Sequence, residues 1–141
     1  MRNCKSELLT ALVAALKAAL TGFTVRTKMI DADTATNSAY PYIYISDVYQ
    51  SEVGPKNYHT YDVELLINVV YKDVIDLGAL YSTQNSVLGL FTVPKSLTLT
   101  NNFEVQETVL INSNDIEVKV ETGTLNIGLI RMRFTIIDKT I

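Results

Sequence analysis

The chain has 141 residues, a formal net charge of −3, a single cysteine and eight tyrosines. That length suits one domain, residues 1–141, able to bury roughly 70% of the surface its unfolded form would expose. A lone Cys4 excludes an internal disulfide framework and suggests a small buried residue in a reducing compartment. Interspersed acids and bases leave no electrostatic footprint for nucleic acid or an anionic membrane.

Leu8, Leu9, Leu12, Val13, Leu16 and Leu20 recur at spacings of three and four, which predicts a helix from about Cys4 to Thr21. Asn3 is its expected N-cap and Gly22 the left-handed residue just past its end. The apolar run Ala11–Leu20, interrupted by Lys17, is too short for a bilayer core of roughly 30 Å. It also lacks a clear cleavage site, so the chain reads as soluble and unprocessed.

A short strand is expected over Thr24–Met29, followed by the polar run DADTATNSA, Asp31 to Ala39, as a loop. Asp31 and Asp33 alone do not make a cation site, because a calcium loop also needs a glycine turn and a downstream bidentate glutamate. Tyr40 to Ser46 alternates, with Tyr40, Tyr42 and Tyr44 on one face and Ile43 and Ile45 on the other. A partner strand places Tyr61, Val63, Leu65, Ile67, Val69 and Tyr71 on one face, opposite Thr60, Asp62, Glu64 and Asn68. The two runs predict an antiparallel pair. Asp47 to His59, thirteen residues, would join them as a polar loop where hairpins commonly use about two to five.

Asp76 is the expected cap of a second helix with an apolar stripe of Leu77, Leu80, Tyr81, Leu88 and Phe91, ending before Pro94. Alternation then returns at Phe103, Val105, Val109 and Ile111, at Ile116, Val118 and Val120, and from Leu125 to Ile137. In the last run the apolar positions change parity, which a bulge near Gly128 would explain. The sum is an α+β fold: an antiparallel sheet with two helices packed on one face and a long projecting hairpin loop.

Chemistry has little to stand on. Cys4 and His59, the only members of their types, suggest no nucleophile–base pairing, and His59 reads as an exposed loop residue. Asp62 and Glu64 neighbour each other on one strand face, which usually marks a solvated face rather than an acid–base pair. No phosphate loop, dinucleotide fingerprint or multi-ligand metal motif is present. No catalytic, metal or cofactor-binding residue is therefore assigned. Seven of the eight tyrosines fall between Tyr40 and Tyr71, however, and tyrosine is enriched at interfaces. An interface patch of Tyr40, Tyr42, Tyr44, Tyr49, Glu52, Lys56 and Tyr58 is expected. For the strand tyrosines, burial beneath covering helices is an equal alternative.

The order of elements resembles the tail-terminator and tail-completion proteins of tailed bacteriophages. The resemblance rests on the helix at Leu8–Leu20, the pair PYIYIS and TYDVELLINVVYKD, the helix DLGALYSTQNSVLGLF and the closing strand LIRMRFTII. It implies a non-enzymatic virion subunit, assembled in the host cytoplasm, that forms a closed ring at the head–tail junction, six-fold or alternatively twelve-fold. The ring's partners would be copies of itself and adjacent neck, connector or tail proteins. DNA would pass through its channel without sequence-specific binding, and no membrane is involved. The loop from Asp47 to His59 is longer than the family pattern and would serve as an arm. Two readings compete: a small-molecule-binding or enzymatic α+β domain with a tyrosine-lined pocket, and a monomeric adaptor that docks one protein through the loop.

Overall fold

The computed structural model describes residues 2–28, 40–53, 59–74, 76–91 and 97–140. The elements are α1 (Lys5–Ala19), β1 (Thr24–Arg26), β2 (Tyr42–Val53), β3 (His59–Lys72), α2 (Gly78–Leu90), β4 (Phe103–Val120) and β5 (Gly123–Asp138). The strands form one sheet in the order β1-β2-β3-β5-β4. Pairing is antiparallel except at the short β1, which runs parallel to Tyr42–Tyr44 of β2. The α+β architecture predicted from the alternating runs is the one observed.

Both helices lie on one face. The i, i+4 row Leu8, Leu12 and Leu16 carries α1 into the core together with Cys4, and Leu80 and Val87 do the same for α2. They meet a floor made by Ile43, Ile45, Tyr61, Val63, Leu65, Ile67, Val69, Ile130, Met132, Phe134 and Ile136. The alternation read in β3 is therefore the core pattern. In α2, by contrast, Val87 is buried and Tyr81 is 45% exposed. The stripe is rotated from the predicted one, and Thr83 and Gln84 are buried within it.

Local end signals differ from expectation in chemically clear ways. Asn3 does not cap α1; Cys4 is the boundary residue, and Asn3 Oδ1 instead accepts from the Lys5 N–H at 2.9 Å. Gly22 does not adopt a left-handed conformation, and α1 closes through the Leu20 N–H to the Leu16 carbonyl. Asp76 lies one residue before the Leu77 boundary of α2, and its Oδ1 accepts from the Gly78 N–H at 2.9 Å. The run 31–39, Met29 and Pro94 lie outside the described residues.

Two register features decide which side chains share a face. No shift interrupts β5 at Gly128, in its pairing with either β3 or β4. The parity change arises because the sheet is apolar on both faces in different halves. Ile130 to Ile136 face the helices, whereas Leu125 and Ile127 face the other side with Tyr42 and Val70. Gly128 serves a different end. A Cβ there would lie 2.6 Å from Gln84 Nε2, so only glycine lets the Gln84 side chain cross β5 and donate to the Asn114 carbonyl of β4 at 3.1 Å. The bulges lie instead in β4, between Val105 and Glu107 and between Leu110 and Asn112, and in β2, where Ser46 pairs with Leu66 but Tyr49 pairs with Glu64, and Asp47 takes a φ of 53°.

Candidate interaction surface

The bulge at Asp47 and Val48 corrects the predicted loop. β2 continues through it to Val53 and β3 begins at His59, so most of the stretch read as a thirteen-residue connection is paired strand. Residues 54–58, including Lys56 and Tyr58, lie outside the described residues. One extra residue in β2 also changes parity. Tyr49, which strict alternation would aim at the helices, joins Tyr42 and Tyr44 on the opposite face, while Val48 packs on the core.

Asn68, buried on β3, steadies this geometry. Its Nδ2 donates to the Tyr44 carbonyl at 3.2 Å and to Ser46 Oγ at 2.9 Å, immediately before the bulge. Gln50, just beyond it, accepts from the Cys4 N–H at 3.1 Å and the Cys4 thiol at 3.3 Å, and donates to the Arg2 carbonyl at 2.9 Å. Burial, above all, pushes the Cys4 thiol up to about 11, so it is an inert core thiol rather than a nucleophile at neutral pH.

The predicted interface residues divide. Tyr42 is fully buried with Val70, Leu125 and Ile127, beneath no helix, in a second small core on the far face of the sheet. Tyr40 and Tyr44 are half-buried and flank it, with ring centroids 5.6 and 5.9 Å from that of Tyr42. Burial, with the nearby Asp47 carboxylate second, raises the Tyr44 phenol above its ordinary value. Tyr49 stands out, 66% exposed, further along the same face. Glu52 is exposed and its Oε1 lies 3.8 Å from Nδ1 of His59, which is half-buried at the start of β3 rather than free in a loop. Asp62 accepts from the Thr135 hydroxyl at 2.8 Å across the sheet, consistent with a solvated strand face.

A tyrosine-lined hollow does exist, between Tyr40, Pro41, Tyr71, Lys72 and Asp73. Among the described residues, no group of three or more His, Cys, Asp and Glu side chains could hold a metal ion, and no helix is long and apolar enough to cross a membrane.

A second exposed region went unread in the sequence. The runs about Val109–Ile111 and Ile116–Val120 are one 18-residue edge strand, β4, on which Leu110, Ile111 and Ile116 are each at least 40% exposed. Its polar centre, Asn112 to Asp115, looks like a break between two strands, and only its pairing with Arg131 to Gly128 of β5, resumed after a register shift between Leu110 and Asn112, shows otherwise.

These features define an α+β fold with a single helix-covered face and long, partly apolar outer surfaces. No family model matches the chain, and no curated protein matches it. A solved chain from the virion of a native gene transfer agent particle is similar in fold, with a TM-score of 0.74 at 15% identity, over 97% of this chain and 99% of that one.

Proposed function

We propose that the chain is a structural subunit of a tailed-phage-like virion. It forms a closed ring at the head–tail junction, where it terminates the tail or joins it to the neck and leaves a channel for DNA. The observation that carries this reading is the end-to-end fold likeness to a chain of the gene transfer agent virion, without large insertions on either side. Fold alone does not fix function. The surface adds support: Tyr49 projects from the hairpin and a long apolar-bearing edge runs along β4, which suits a protein that works by contact. Copies of the chain, six or twelve, and adjacent neck or tail proteins are its partners, with DNA passing through unread. The mildly acidic balance favours sliding over binding.

The test is genetic and visual. Particles produced without this chain should show heads and tails unjoined, or tails of uncontrolled length, under the electron microscope. Normal particles would refute the assignment. The competing small-molecule reading places its ligand in the hollow at Tyr40, Pro41, Tyr71, Lys72 and Asp73. It predicts a metabolite co-purifying with a monomer.

A further inference from the structure

One row of side chains crosses the sheet on the face that α1 and α2 leave uncovered. Strand pairing sets Tyr49 of β2, Glu64 of β3, Arg133 of β5 and Val109 of β4 side by side there, on the same side as Tyr42, Val70 and Ile127. Glu64 and Arg133 are direct neighbours, yet neither enters an ion pair among the described residues. Arg133 Nε is buried and has no hydrogen-bond partner among them. At the ends of the row Tyr49 is largely exposed and Val109 half-buried. An exposed tyrosine and an uncommitted arginine are residue types that anchor protein contacts.

We propose that two copies of the chain stack these helix-free faces about a two-fold axis that runs parallel to the strands, midway between β3 and β5. That axis sets β3 of each copy over β5 of the other and β2 over β4, so each Arg133 faces the other copy's Glu64 and each Tyr49 faces the other copy's Val109. The row is its own complement. A two-fold axis along the row, perpendicular to the strands, would set Glu64 on Glu64 and Arg133 on Arg133, so the charges select one orientation and reject the other. Facing sheets pack roughly 10 Å apart with strand directions within about 30° of each other, a gap that a glutamate and an arginine reaching from opposite sides can span. The flanking rows place no like charges directly opposite, since Asp62 meets Thr135 and Leu66 meets the aliphatic stem of Arg131. A two-fold contact joins copies in pairs and does not propagate. It is separate from the head-to-tail contact of the ring reading and does not depend on it: alone it yields a dimer, and added to a ring of six it yields twelve.

A charge exchange tests the contact. Glu64→Arg and Arg133→Glu each oppose like charges when a variant meets its own copy, and each should weaken pairing about tenfold or more in native mass spectrometry over a concentration series, with an unchanged circular dichroism spectrum. An equimolar mixture restores opposite charges only between unlike copies and should give pairs that hold one of each variant. The double variant, with both changes in one chain, should pair with itself as the parent does. Glu64→Gln and Arg133→Gln remove one charge without reversing it; they should weaken pairing by less, and they carry the test if a reversal disturbs folding. Single variants that pair as well as the parent, or a mixture with no preference for unlike pairs, overturn the inference. So does a parent found only as a single subunit or only as six copies at every concentration, six leaving the ring reading intact. A parent found only as a dimer, whose variants respond as expected, bears out the stacked faces and overturns the ring.

Discussion

Tyr42 and Tyr49 share a sheet face seven positions apart, yet they do unlike things. Tyr42 is sealed against Val70, Leu125 and Ile127, while Tyr49 stands in solvent beyond the bulge. Tyr42→Ala should therefore cost about 3–5 kcal/mol in denaturant unfolding. Tyr49→Ala should stay within about 0.5 kcal/mol and act on assembly instead. A large stability loss from Tyr49→Ala would mean that it is packed. Alternation placed Tyr40, Tyr42 and Tyr44 on one face correctly, because the period of two is local. It did not tell a second core from an interface. That distinction depends on Leu125 and Ile127, which are more than eighty positions away in the chain and two strands away in the sheet.

At the scale of elements, the helices and the β3 core row were legible because their apolar periods are long and regular. The bulge was not. Sequence parity points to Gly128 as the irregular site, but Gly128 is a crossing point for Gln84, and the irregularities fall in β4 and at Asp47 of β2, whose short polar side chain tolerates a positive φ. Gly128→Ala would force Gln84 aside and break its hydrogen bond to the Asn114 carbonyl, at a cost of about 1–3 kcal/mol. Hydrogen exchange should then quicken along the middle of β4. Unchanged protection there would show that Gln84 does not tie α2 to the edge strand. The extent of β4 was hidden for a related reason, since its solvated centre carries no apolar alternation to follow.

In the whole molecule, the first residues are fastened to the last strand. Arg2 Nε and Nη2 donate to the Asp138 carboxylate at 2.7 and 2.5 Å, and the guanidinium lies 4.3 Å from the centroid of the Phe103 ring. The hydrogen bonds from Arg2, then those from Thr140, hold the Asp138 carboxyl well below the usual carboxylate range. A carboxyl lowered in the folded state contributes stability above its unfolded value, near pH 4, and loses it as pH falls toward the folded value. Asp138→Asn should thus lower the melting temperature at pH 7 and flatten its decline between roughly pH 4 and pH 2. Equal acid sensitivity in variant and parent would contradict this. Nothing in the sequence marks the pairing, because it joins positions at opposite ends of the chain.

The same scale carries the central claim, that copies of this subunit close into a ring. A stable contact of this kind buries roughly 1,000 Å² or more, and the exposed surfaces at both sheet edges are where that area is available. The direct measurement is native mass spectrometry of the purified chain over a range of concentrations. The account predicts one dominant closed species, of six or twelve copies, with few intermediates. A chain that remains a single subunit at every concentration, or that grows into a continuous ladder of open oligomers, would contradict it.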